Sequence, residues 1–252
     1  MNLFVETIGS GEPTLVLLHG LGVNGATFKP LVRVLKWPGR VIVPDLRGHG
    51  RSPHAKHYGL AHFAADIADL LDPNARVQVV GHSMGGGVGL VLASGFFGVA
   101  VERVTAFGVR MKWTAEDLSK GAAFADSPVR WFDTREAAVE RFLRVAGLID
   151  HVAPTDPVVT AGVVEQGGRY RLAADNATAR AAGPAPADIV GAARAPLRLF
   201  CGAGDPLVTV EELRACDPHA FAIEGCGHNA HVEAPDLVAA IVRKLHLDRP
   251  SP

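Results

Sequence analysis

An excess of charge of either sign is missing from this sequence of 252 residues, in which 25 lysines and arginines face 26 aspartates and glutamates for a formal charge of −1. No long basic run occurs, so the electrostatic footprint of a nucleic-acid or anionic-membrane binder is absent and such partners are not expected. Cysteine is scarce. Cys201, Cys216 and Cys226 make an odd count without a CxxC spacing, which argues against a disulfide framework and a zinc site and leaves them as reduced packing thiols. The start of the chain has no basic patch followed by an apolar run, so it does not read as a secretory signal, and a cytoplasmic location is expected. The one long apolar stretch, residues 84–101, is interrupted by Ser94 and falls short of the about 20 residues a membrane span needs. Its glycines, and its place after a turn motif, point instead to a helix buried against a sheet.

What the sequence does hold is apolar residues, 48% of the total, and a chain of this size buries about three quarters of the surface it exposes when unfolded. Short β-branched runs alternate with segments of helical period, the pattern of a mostly parallel sheet with helices on both faces. Strands are predicted over residues 3–8, 14–19, 40–44, 77–81, 101–107, 197–202 and 220–223. Helices are predicted over 28–35, 60–71, 85–97, 210–215 and 235–247, with Thr209 and Glu212 forming a capping box for the fourth.

After Arg110 the strand rhythm stops. Thr114 ahead of Asp117, Asp133 ahead of Glu136 and Asp156 ahead of Pro157 mark three helix starts, and Gly147 ends the second helix, whose Ala138, Phe142, Val145 and Ala146 share a face. The expectation is a single core domain over residues 1–110 and 187–252, with a helical cap inserted over 111–186 and a return linker over 176–186.

The chemistry centres on Gly81-His82-Ser83-Met84-Gly85, which follows the apolar run 77–80 and precedes a helical segment. That strand-turn-helix setting is the one required of a nucleophile elbow. A serine on so sharp a turn has strained backbone angles, and its neighbours two residues away must lack bulk. A serine hydroxyl needs a base within reach and a third group to orient that base. Asp205, in Gly202-Ala203-Gly204-Asp205-Pro206, follows an apolar strand and lies on the same carboxyl edge as Ser83, although Asp before Pro also serves as a plain turn former. His228, in Gly225-Cys226-Gly227-His228, sits in a glycine-rich loop before the last helix and is the expected general base. His231 is its rival, read as part of the final helix start, and His82 lies on the wrong side of the elbow. His19-Gly20-Leu21-Gly22 ends an early buried strand. The amides of Leu21 and Met84 are the expected oxyanion donors, with a simple strand-ending turn as the other reading of the first.

Together these residues resemble the α/β-hydrolase superfamily, and within it the small capped members of the esterase, carbon–carbon hydrolase and perhydrolase type. The resemblance rests on His19-Gly20, Asp45-Leu46-Arg47-Gly48-His49-Gly50-Arg51-Ser52, the elbow, residues 202–205, and Gly227-His228 followed by Glu233 and Pro235. It implies the α/β-hydrolase fold and a two-step acyl transfer on a small-molecule substrate, with Ser83 as nucleophile, His228 as base and Asp205 as its orienting acid. No cofactor or metal is implied, and the 45–52 segment is implied to be a structural loop. Carbon–carbon hydrolases of this type usually carry Trp after the catalytic His, where this chain has Asn229. A carbon–carbon hydrolase of a small keto acid and a non-catalytic receptor on the same scaffold are the alternatives. For the substrate pocket, Arg110 and Trp113 follow the strand whose end faces the site. They fit a substrate with a carboxylate and an apolar body, while a structural ion pair is the other use of Arg110.

Overall fold

The structure, a computed structural model, describes residues 1–181 and 183–247 of the chain. Its strands are β1 (Val5–Ile8), β2 (Thr14–Leu18), β3 (Val41–Pro44), β4 (Val77–His82), β5 (Val101–Phe107), β6 (Val163–Gln166), β7 (Arg169–Leu172), β8 (Leu197–Gly202) and β9 (Phe221–Ile223). The helices are α1 (Lys29–Leu35), α2 (Leu60–Ala68), α3 (Met84–Leu92), α4 (Ala115–Ala125), α5 (Arg135–Ala146), α6 (Pro157–Gly162), α7 (Pro186–Val190), α8 (Val210–Arg214), α9 (Ala230–Glu233) and α10 (Pro235–His246). Seven strands form one sheet in the order β1-β3-β2-β4-β5-β8-β9, parallel throughout except that β1 runs antiparallel to β3.

Both faces of this sheet are covered, which is why its strands are apolar at successive positions rather than at alternate ones. Leu15 and Leu17 of β2 point to one face and meet Phe28, Leu31, Val238 and Val242 from the side of α1 and α10. Val16 and Leu18 point to the other, among Phe63, Ile67, Val88 and Leu92 of α2 and α3. Helix α3 spans 9 residues and stops before the 97 expected, because Gly95 and Gly98 both take positive φ and break the helical path. Among the described residues no helix is long and apolar enough to cross a membrane.

The chain between β5 and β8 departs from an all-helical cap. It contains α4, α5, α6 and α7, and also an antiparallel hairpin in which β6 pairs with β7 across Gly167 and Gly168. Both glycines have positive φ, 61° and 75°, the backbone that a two-residue hairpin turn demands. Helix α5 is capped by Thr134 rather than Asp133, since the Thr134 hydroxyl accepts the Ala137 N–H. Within the expected return linker, Asn176–Ala181 form a 3₁₀ turn, while Ala182 lies outside the described residues. The insertion packs on the core through Val139, Phe142, Val158 and Val159, which meet Val23 and Ala26 from the loop after β2.

Candidate active site

Parallel strands deliver their carboxyl ends to one edge, and there β4 turns sharply into α3 at Ser83. Ser83 has φ 52° and ψ −120°, a region non-glycine residues rarely enter, at a cost of about 1–3 kcal/mol. The turn is held by the Ser83 N–H, which donates to the Phe107 carbonyl at 2.8 Å. Crowding explains the glycines. A Cβ on Gly85 would lie 2.1 Å from the Leu18 carbonyl oxygen, and one on Gly81 would lie 2.4 Å from that of Gly85.

The loop after β8 brings Asp205 to the loop after β9. Nδ1 of His228 donates to Oδ2 of Asp205 at 2.9 Å, while Oδ1 accepts the Leu207 N–H at 2.8 Å. The Asp205 side chain has no solvent exposure and that of His228 retains 19%, so the carboxylate is enclosed while the ring meets the cavity. With its proton on Nδ1, the neutral ring offers Nε2 as the basic nitrogen. No hydrogen bond joins Ser83 Oγ to His228 among the described residues. The two are brought together as lining residues of one cavity.

The other two histidines nearby have different surroundings. His82 donates from Nε2 to the main-chain oxygen of His228 at 2.9 Å, and its basicity lies well below the ordinary imidazole range because it is buried, then because His231 and His228 adjoin it. His231 is enclosed by Phe28, His82 and Phe107, and neither ring nitrogen has a partner. Burial pushes its pKa down to about 3. Neither ring contacts a carboxylate, whereas His228 does.

Leu21 and Met84 both line the cavity, and neither amide donates to a backbone acceptor. Met84 is the first residue of α3, where N–H groups are unpaired by construction and the helix dipole favours negative charge. Leu21 is aimed by its neighbour. His19 donates from Nδ1 to the Gly20 oxygen at 2.8 Å and accepts the Leu46 N–H on Nε2 at 2.8 Å. Because the Gly20 oxygen and the Leu21 N–H belong to one planar trans peptide and point oppositely, holding the first fixes the second.

The cavity has a volume of about 310 Å³, small for a ligand pocket. Arg110 and Trp113 line it as well. Arg110 is also paired: its Nη1 donates to Asp117 Oδ1 at 2.8 Å, and its guanidinium lies 5.6 Å from the centre of the Trp113 ring. Arg110 thus forms the ion pair with Asp117 while also lining the cavity. Residues 45–52 form a hydrogen-bonded loop: buried Asp45 accepts N–H groups from Gly25 and Arg51 and the Arg51 Nε, and Arg47 pairs with Asp66.

Sequence reasoning missed two supports of His228. The Glu233 carboxylate accepts N–H bonds from Gly227 and Asn229, at 2.5 and 2.9 Å. The Asn229 side chain donates to the carbonyls of Ala146 and Gly147, each at 3.0 Å, tying the histidine loop to the end of α5. The only advance signals were Glu233 following Gly227-His228 and Asn229 standing where a Trp was looked for.

Residues 15–241 match the sequence profile described as the alpha/beta hydrolase family. The crystal structure of E-2-(acetamidomethylene)succinate hydrolase superposes with a TM-score of 0.81 at 24% identity, covering 98% of this chain and 95% of that one. Among curated proteins, the pimeloyl-[acyl-carrier protein] methyl ester esterase of Chromobacterium violaceum is 46% identical over 89 residues, 34% of this chain and 33% of that protein. The magnesium-chelatase 30 kDa subunit of Rhodobacter capsulatus is 42% identical over 93 residues, 35% of this chain and 33% of that protein. The chain thus aligns with about a third of the length of these curated relatives. With the profile spanning both the elbow and the Asp205 and His228 loops, the chain belongs to the alpha/beta hydrolase family.

Proposed function

We propose that this protein is a serine hydrolase that cleaves an ester or related acyl bond of a small molecule through an acyl-enzyme. The observation that carries the reading is the 2.9 Å bond from enclosed Asp205 to His228, which lines the same cavity as Ser83. In this reaction Ser83 Oγ attacks the substrate carbonyl carbon while Nε2 of His228 takes the hydroxyl proton. The imidazolium then gives that proton to the leaving oxygen as the acyl–oxygen bond breaks. Water attacks the acyl-enzyme in turn, losing a proton to Nε2, and Ser83 leaves with that proton restored. The charge on Asp205 stabilises the imidazolium, and the N–H groups of Leu21 and Met84 receive the oxyanion, each such donor contributing roughly 3 kcal/mol.

Short and medium p-nitrophenyl esters test the proposal, with Ser83→Ala as control. Release that disappears in the variant, with a fluorophosphonate probe mapped to Ser83 by peptide mass spectrometry, is expected. A wild-type protein that takes no label at Ser83 and turns over none of the esters would favour a non-catalytic receptor.

A further inference from the structure

The cavity wall carries an asymmetry of charge. Its lining is predominantly apolar, with Leu60, Val109, Ala179 and Pro186 among the contributors, and Arg110 is its one formally charged residue among those described. Asp117 takes Nη1 of that guanidinium, and Trp113 lies beside it. Asp117 is itself fixed by hydrogen bonds from the Thr114 backbone and hydroxyl, which with Arg110 hold its carboxyl below the usual carboxylate range. The guanidinium makes one bond, to Asp117 through Nη1, and its Nε and Nη2 are left without a protein acceptor among the described residues. Those two donors form the side-on fork that matches the two oxygens of a carboxylate. Beside this guanidinium the indole N–H of Trp113 is buried without any partner.

We propose that the substrate's acyl part ends in a carboxylate, which Arg110 binds through Nε and Nη2 while the apolar walls hold the methylenes between that group and the scissile carbonyl. The substrate class is then the half-ester or half-amide of a short dicarboxylic acid. This inference rests on the acyl-hydrolase reading for the reaction, and on Arg110 alone for the anion.

Matched substrates test it. Mono-p-nitrophenyl esters of succinate, glutarate and adipate are compared with neutral p-nitrophenyl esters of the same carbon count, in wild type, Arg110→Gln and Arg110→Lys. The wild type is expected to favour at least one anionic ester by tenfold or more in kcat/KM. That ratio should fall at least tenfold in Arg110→Gln, mainly through KM, and return in part in Arg110→Lys. Because a ratio within each variant is read, a general loss of active protein does not mimic the result. Calorimetric titration with the three free dicarboxylates supplies a readout that needs no turnover, with binding expected to wild type and lost in Arg110→Gln. A ratio unchanged by Arg110→Gln, or dicarboxylates that bind neither protein or both alike, overturns the proposal. An inert, unlabelled Ser83 with dicarboxylate binding still dependent on Arg110 would instead overturn the hydrolase reading and leave the anion site standing.

Discussion

Glu233 fixes His228 without touching its ring, by accepting the backbone N–H groups on either side of it, those of Gly227 and Asn229. The His228 carbonyl is held separately by His82, so the main chain of the expected base is tethered at successive positions. Removing the carboxylate frees the ring to swing from Asp205, and misplacement by about 1 Å can cost on the order of a hundredfold in rate. Glu233→Ala is therefore expected to lower kcat by ten- to a hundredfold on the order-of-magnitude scale of that effect, with KM nearly constant. Steady-state kinetics on a p-nitrophenyl ester reads the split, and an unchanged kcat would remove Glu233 from the positioning of His228.

His19 acts at the opposite side of the site. Its bond to the Gly20 oxygen orients the Leu21 N–H, and Leu46 donates to its other nitrogen. His19→Leu should lose most of one oxyanion donor, a fall in kcat of about a hundredfold. It should also leave the buried Leu46 N–H unsatisfied at a cost of about 1–3 kcal/mol. Urea melts give the stability loss, and the rate of fluorophosphonate labelling of Ser83 gives the chemical one.

The strained elbow separates stability from reaction. Ser83 sits at φ 52°, where glycine is at ease and alanine is not. Ser83→Gly and Ser83→Ala should both be inactive, yet the glycine variant should be the more stable by roughly 1 kcal/mol, on the order of 2–4 °C in Tm for a chain of this size. Paired thermal melts decide it, and an alanine variant that melts at the same temperature or higher would show that the elbow is not under strain.

Much of this arrangement was legible because local signals agreed with the fold. The Thr209–Glu212 box forms as its spacing predicts, the helix start at Thr114 proves to be a box as well, and β4, the elbow and α3 fall where the motif requires. The hairpin of β6 and β7 was not. Its strands are only 4 residues each, so the alternation in Arg169-Tyr170-Arg171-Leu172 is too short a run to stand out beside the Gly167-Gly168 turn. The grip of Glu233 on Gly227 and Asn229 was invisible for a different reason. It depends on how a non-helical turn folds back onto α9, which no periodicity encodes.

Acid should destabilise the protein early. Burial lowers the pKa of His49, His231 and His246 from 6.5 to about 3, and also depresses His19 and His82. The unfolded chain binds protons at these sites once the pH drops below 6.5, while the folded chain does not. The stability they confer is complete above 6.5 and is lost as the pH falls from there towards 3, at up to about 1.4 kcal/mol per pH unit for each histidine. Urea midpoints measured from pH 7.5 to 4.5 should therefore fall steeply. His246→Gln, which keeps a polar group beside Gln78 and Thr105, should flatten the slope by one proton's worth. A slope identical to that of the wild type would mean that His246 titrates normally.

Asn229 links the insertion to the base. Its amide donates to Ala146 and Gly147 at the carboxyl end of α5, where helix carbonyls lack intrahelical partners and the dipole is negative. Val145 and Ala146 line the cavity, so release of this end should disturb substrate binding more than the proton transfers at His228. Asn229→Ala is expected to raise KM several-fold with a smaller change in kcat. Asn229→Asp tests the electrostatic part, because a carboxylate there would face two carbonyl oxygens and the negative end of α5 with no donor to offer. It should be worse than alanine in both KM and Tm, although it is closer to asparagine in size. Were the aspartate variant to match the wild type, the amide bonds to α5 would have no bearing on how the insertion is held.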